Sequence, residues 1–206
     1  MNDHLIPVFD LGGVFLDWNP MYLFRKLFET EEDAQWFYDN VCTSRWNLDF
    51  DAGVSYAQGV QEKTNAFPRY FDEISAFDRR WHEMVAGLFQ GTLDIQDELV
   101  AAEIPTFAIT NFSREKFHEC LEKYEFLQKF DGIVVSGNEH LIKPDYRIFY
   151  RFLDRYSLDA DQCVFIDDSY PNVAAARYVG MKAVHFQSPE QLRKELIELG
   201  LPLKAT

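Results

Sequence analysis

Five short apolar runs constrain this chain more than any other feature of its sequence. They cover residues 5–9, 105–109, 132–136, 163–166 and 181–186. Each has the length and apolar content of a buried strand, with Pro7 as the one residue that argues against a central position. Polar residues stand at their downstream ends: Asp10 after the first, Thr110 and Asn111 after the second, Lys143 in the stretch beyond the third, Asp167 and Asp168 after the fourth. Helix-like stretches separate the later runs, at 93–103, at 114–122 with Ser113 as N-cap, at 147–156, and at 173–178 with Gly180 after its end. Strands alternating with helices build βαβ units and a parallel sheet. Ligands of such sheets bind beyond the carboxyl ends of the strands. Residues scattered from 10 to 168 therefore converge on one edge.

One interval breaks the rhythm. About 95 residues (10–104) separate the first run from the second, where a crossover needs only a dozen or so. Within it, Tyr22, Leu23, Leu27, Trp36, Phe37, Trp46, Phe67, Phe71, Trp81 and Val85 recur at helical spacing, with breaks at Gly53, Gly59 and Pro68. We expect an α/β protein with a Rossmann-like parallel five-stranded sheet core, formed by 1–17 plus 89–206, and a helical cap inserted at 18–88. A length of 206 residues, roughly one and a half domains, agrees with a core that carries an insertion.

The charge balance narrows the partners. Asp and Glu number 34 against 20 Lys and Arg, a net charge of −14. Nucleic acid and anionic lipid both require a basic footprint, so neither is expected as a partner. An anionic ligand would need a local cation. Cys42, Cys120 and Cys163 are too scattered for a disulfide framework or a structural zinc site. No run approaches 18 apolar residues, and no basic segment precedes the first apolar run. A cytoplasmic monomer or homodimer without a membrane partner is expected.

Taken singly, an Asp at a strand end is also a common turn former or helix cap. The ordered set says more: Phe-Asp-Leu-Gly-Gly-Val at 9–14, Ile-Thr-Asn at 109–111, Lys-Pro at 143–144, and Phe-Ile-Asp-Asp-Ser at 165–169 followed by Asn172. With these four motifs the chain resembles the haloacid dehalogenase-like hydrolases over nearly its whole length. It is most similar to the phosphatase branch that includes glucose-1-phosphatase-type enzymes, whose helical cap is inserted at the same point. The resemblance implies a phosphatase of a small phosphorylated substrate, a sugar phosphate being the preferred expectation. Asp10 would be the nucleophile that forms an aspartyl-phosphate. Mg²⁺ would be held by Asp10, the Gly12 carbonyl, Asp167 and Asp168. Thr110 and the Asn111 backbone would bind phosphate, and Lys143 would offset charge on Asp10 and the phosphate. The three carboxylates are then matched by Mg²⁺ and Lys143, which leaves an approximately neutral site for a dianion.

The chain departs from the family pattern at one position. A second Asp usually stands two residues after the nucleophile as general acid, and here that position is Gly12. General acid help is worth roughly 10²–10⁴-fold. Three readings follow: a substrate whose leaving group needs little help, which the Gly-bearing branch favours; a substitute acid, Asp17 or a residue of the cap; or lost catalysis. In the cap, Arg45 and Trp46 offer a cation and a flat apolar face suited to a phosphorylated or hydroxylated ligand. Cap packing and a surface charge are the alternative for that pair. Other functions stay open as well. A metal-independent 2-haloacid dehalogenase shares the nucleophilic aspartate, but does not need the acidic pair and usually has an aromatic residue where Gly12 stands. A phosphate-accepting receiver domain has its acidic pair first in the chain. A non-catalytic phosphate-binding protein is the remaining case. P-loop and dinucleotide-binding motifs are both missing from the sequence.

Overall fold

The computed structural model describes residues 4–205. In chain order its elements are β1 (Ile6–Phe9), β2 (Leu16–Trp18), α1 (Met21–Leu27), α2 (Glu31–Asn40), α3 (Ser44–Asp51), α4 (Tyr56–Ala66), α5 (Phe71–Arg79), β3 (Val85–Leu88), α6 (Gln90–Ala101), β4 (Phe107–Thr110), α7 (Arg114–Lys123), β5 (Gly132–Val135), α8 (Ser136–Glu139), α9 (Tyr146–Tyr156), β6 (Cys163–Asp167), α10 (Tyr170–Val179), β7 (Lys182–His185) and α11 (Pro189–Glu198). The fold is α/β. Five parallel strands lie in the order β5-β4-β1-β6-β7, which places β1 at the centre.

Each of the five apolar runs overlaps one of these strands, with β4 and β6 extending one residue further, to Thr110 and Asp167. Pro7 is tolerated in β1 because it pairs with Val164 of β6 and lies one step before the first β1–β4 partners, Val8 and Phe107. Alternation along the strands divides the core between two faces. Val8, Ile109 and Phe165 pack with Phe149 and Phe152 of α9 on one face. Phe9, Val164 and Ile166 belong to the other. Ser113 caps α7 by accepting the Lys116 N–H, and Gly180 closes α10 at φ 103°, a left-handed conformation that costs glycine little.

Five helices, α1–α5, make up the inserted part of the long interval, and α6 closes the interval ahead of β4. The five are bracketed by β2 and β3, a short antiparallel pair with a register shift at Asp17/Trp18. Both strands are too short, and too interrupted by Asp17 and Gly87, to show a period in sequence. The apolar cluster that contains Phe9 runs without a break into the insertion. Phe9 meets Phe15 edge-on at 5.3 Å, and Trp46 meets Phe50 at 4.7 Å and Phe77 at 4.9 Å. Such pairs add about 0.5–1.5 kcal/mol beyond their buried area. Polar contacts also join the insertion to α7: Lys116 pairs with Asp78 at 2.7 Å, and Glu115 accepts the Tyr56 N–H at 2.9 Å. No helix among the described residues is long and apolar enough to cross a membrane.

Candidate active site

Register brings the first group of residues together. Phe9 is level with Ala108 on β4 and Ile166 on β6. The next residue, Asp10, is thereby level with Ile109 and Asp167. Lys143 enters from the loop between α8 and α9, and Asn111 holds that loop by two reciprocal bonds: the Lys143 N–H donates to Asn111 Oδ1 at 2.8 Å, and Asn111 Nδ2 donates to the Lys143 carbonyl at 3.1 Å. The buried Lys143 Nζ spends its three donors on Asp10 Oδ1 at 2.8 Å, Asp167 Oδ2 at 2.7 Å and the Ile109 carbonyl at 2.9 Å. Asp167 also accepts the Ser169 N–H at 2.8 Å and both oxygens receive Asn172 Nδ2, at 3.0 and 3.1 Å.

Asp168 completes an acidic group. Carboxylate oxygens of Asp10, Asp167 and Asp168 lie within 4.8 Å of one another. Gly13 makes this approach feasible: it sits at φ 71°, and a Cβ there would collide with the Asp168 carboxylate. One lysine does not neutralise three carboxylates. Burial pushes the Asp10 carboxyl up to about 7; Lys143 pulls it down, and Asp167 and Asp168 push it further up. Burial works against the charge on Lys143, yet Asp10 and Asp167 outweigh it and hold the ammonium above the usual lysine range. Thr110 is buried at the carboxyl end of β4, and its hydroxyl has no hydrogen-bond partner. An orphaned buried hydroxyl beside a cation-poor acidic group fits a site built for a metal and an anion.

A cavity of about 110 Å³ opens beside this group. One wall comes from Gly12, Leu16, Asn111, Phe112 and Ser113, the other from Trp18, Asn47, Asp51, Tyr56 and Trp81. The turn after β1 exposes Gly12 to it: the Leu11 carbonyl accepts the N–H groups of Phe15 and Leu16 at 2.8 and 3.0 Å, and the Gly13 N–H donates to the Leu16 carbonyl at 2.9 Å. A Cβ built on Gly12 meets nothing within 4 Å.

Helix α3 determines which of its residues reach the cavity. Thr43 caps it by accepting the Trp46 N–H. Positions four apart then share a face. Trp46 and Phe50 point into the aromatic core of the insertion. Arg45 and Asp49 form a 3.8 Å pair at the surface, with the Arg45 side chain 80% exposed. Asn47 and Asp51 line the cavity, with Asn47 Nδ2 donating to Asp51 Oδ2 at 3.0 Å. The structure therefore places neither Arg45 nor Trp46 at the cavity, and packing plus surface charge accounts for the pair. Asp51 is buried, and burial raises its carboxyl to about 7; the Asp10 charge adds to this, while Lys143 and the Ser113 N–H oppose it. Asn47 and Asp51 are not among the candidates drawn from the sequence, although their i,i+4 spacing behind a Thr cap is legible there. Asp17 is on β2, where it accepts the Tyr22 hydroxyl at 2.9 Å.

A family model for the haloacid dehalogenase-like hydrolases matches residues 8–186, which span β1 to just beyond β7. The chain belongs to that family. This haloacid dehalogenase-like hydrolase is 24% identical to the sesquiterpene phosphatase astK of Aspergillus oryzae, over 93% of its own length and 94% of the relative's. It is 22% identical to a phosphorylated carbohydrates phosphatase of Thermotoga maritima, over 86% and 82% of the two chains. Its fold matches that of a family enzyme from Bacteroides thetaiotaomicron, solved in complex with magnesium and inorganic phosphate, at a TM-score of 0.68 and 17% identity over 90% and 95% of the chains.

Proposed function

We propose that this hydrolase is a Mg²⁺-dependent phosphatase of a small phosphomonoester, working through phosphoryl transfer to Asp10. The observation that carries this reading is the pairing of Asp10 with the buried Lys143 inside an acidic group that one lysine leaves undercompensated. Asp10, the Gly12 carbonyl, Asp167 and Asp168 would hold the metal, which supplies positive charge for the phosphate oxygens when bound. The remaining work falls to the chain. Lys143 holds Asp10 in place and offsets charge as its oxygen attacks phosphorus. Thr110 and the Asn111 backbone grip the transferring group. Asn172 and Ser169 fix Asp167. Water then cleaves the aspartyl-phosphate and returns the free carboxylate.

Residues 18–88 serve in this reading as a cap that selects the substrate, because they contribute half of the cavity lining. Trp18, Tyr56, Trp81, Leu16 and Phe112 favour a ligand body with an apolar face, such as one side of a sugar ring or a short hydrocarbon. The volume of about 110 Å³ favours a small body over an extended one. Phosphorylated carbohydrates and short prenyl phosphates are the two ends of the panel to assay. The acidic group has no purpose in a metal-independent dehalogenase, which counts against that alternative.

The test is phosphate release from this panel with Mg²⁺, with chelator, and with Asp10→Asn. Turnover should need Mg²⁺ and fall about 10⁴-fold or more in the variant. Activity that survives chelation, or survives Asp10→Asn, refutes the proposal.

A further inference from the structure

The core loop of this phosphatase has no proton donor at Gly12, and the cavity is open at that point. The insertion lines the same cavity with a buried carboxyl, that of Asp51. We propose that Asp51, carried on α3, is the general acid–base of the reaction, so that the proton donor has moved from the core loop to the cap. The inference rests on the phosphatase reading above and names a catalytic residue that the reading lacks.

Three observations support it. Asp51 shares the cavity with Gly12 and with Asn111 and Ser113, the residues that follow the phosphate-binding Thr110. It lies within electrostatic reach of both Asp10 and Lys143. It is also aimed: Asn47, one helical turn earlier, donates to Asp51 Oδ2, and Thr43 caps the helix that carries both. The groups around it are Asp10 at the end of β1, Lys143 from the loop before α9, the Ser113 N–H ahead of α7, Tyr56 at the start of α4, and His140 after α8, which bonds the adjacent Ala52 carbonyl. Lys143 is the one ammonium among these groups, and its donors are already engaged. Asp51 has no counter-ion of its own, and burial raises its proton affinity so that it holds a proton near neutrality. A carboxyl of that kind suits general acid catalysis.

The proton balance closes. As an Asp10 oxygen bonds to phosphorus, the bond from phosphorus to the ester oxygen breaks and its electron pair stays on that oxygen. Asp51 delivers its proton there, which releases a neutral alcohol and leaves Asp51 as the carboxylate. In the second step, water attacks phosphorus, Asp51 takes the water proton, the bond from phosphorus to Asp10 breaks, and inorganic phosphate leaves. The enzyme returns to its starting state.

The experiment compares two substrates in four proteins. An alkyl phosphate requires protonation of its leaving group, and 4-nitrophenyl phosphate does not. In Asp51→Asn, kcat for the alkyl ester should fall about 10²–10³-fold, while the first chemical step with the aryl ester, measured as the 4-nitrophenolate burst, should fall less than tenfold. Because a Cβ at Gly12 meets nothing within 4 Å, Gly12→Asp combined with Asp51→Asn should restore at least tenfold of the lost alkyl activity. Equal losses on both substrates with no rescue would mean that Asp51 only shapes the cap, and no loss on either would mean that it is idle; both overturn the proposal. Wild type and Asp10→Asn run in parallel separate this from failure of the underlying reading. If the wild type releases no phosphate, or Asp10→Asn remains active, the phosphatase reading fails and the inference fails with it.

Discussion

Two buried aspartates, Asp10 at the end of β1 in the core and Asp51 on α3 of the insertion, both have carboxyls pushed up to about 7. They reach that value differently. Asp10, on the core side, has Lys143 at 2.8 Å and two further carboxylates beside it. Asp51, on the insertion side, has an Asn partner and no cation in contact. The core site therefore stores a charge imbalance that a cation relieves, whereas the insertion stores one that a proton relieves. In the proposed mechanism, metal binding and proton transfer therefore fall to separate parts of the molecule. Asn172 and Ser169 reinforce the division, because they hold Asp167 from the core side alone.

The largest way to break the comparison is to remove the cation on the core side. Lys143→Met leaves Asp10 and Asp167 buried without it. Breaking a buried pair in this way costs about 3–5 kcal/mol. In a chain of this size that is a fall in Tm of roughly 10 °C, to be read by thermal unfolding at pH 7.5 in chelator. Saturating Mg²⁺ should recover part of the loss, since the freed carboxylates gain a different cation. A Tm within a degree or two of wild type would show that Lys143 carries little of the electrostatic balance.

The second prediction turns on the insertion side. The Asp51 carboxyl moves from its ordinary 3.8 to about 7 on folding. Between those values the folded protein keeps a proton that the unfolded chain has released. Stability therefore falls as pH rises from about 4 to about 7, and this contribution is constant outside that window. Asp51→Asn removes the cost. The variant should match wild type near pH 4 and exceed it above pH 7 by up to about 4 kcal/mol. Urea unfolding at pH 4.5 and pH 8, both in chelator, checks the difference. Asp10 titrates in both proteins, so each keeps some slope of the same sign. A stability difference that does not change with pH would contradict the buried, proton-holding Asp51.

The two walls also differ in how far the sequence exposes them. On the core side, a short apolar run followed at once by a polar residue has little freedom: once β1, β4 and β6 pair in parallel, Asp10, Thr110 and Asp167 reach one edge. Lys143 is less constrained, because its position depends on the Asn111 bridge to the loop. On the insertion side, the sequence shows that α3 is amphipathic but not which neighbour each stripe meets. Trp46 and Phe50 face the aromatic core, Asn47 and Asp51 the cavity, and Arg45 and Asp49 the surface. An aromatic residue beside an arginine looks like a ligand contact until the helix is docked. The β2–β3 pair escapes for another reason, since three and four residues are too few to establish a period. Helix α11 carries a Ser cap and a Pro in its first turn, yet it follows the last strand and adds nothing to the edge where the site forms.

The smallest expected effect sharpens the same contrast on a single turn of helix. Arg45 stands two residues before Asn47 and six before Asp51, but its side chain is 80% exposed and its one ion pair among the described residues is the 3.8 Å contact with Asp49. Exposed pairs at this spacing contribute little, because solvent screens the attraction and ordering two long side chains costs entropy. Arg45→Ala should leave Tm within about 2 °C of wild type and shift KM for each panel substrate less than twofold. The comparison with Asp51→Asn on the same substrates is the useful one. If the surface stripe is silent and the cavity stripe is not, α3 reads the substrate through one face alone. A KM rise of tenfold or more in Arg45→Ala would place the guanidinium over the substrate after all, which requires α3 to turn or shift from the orientation in this structure when substrate binds.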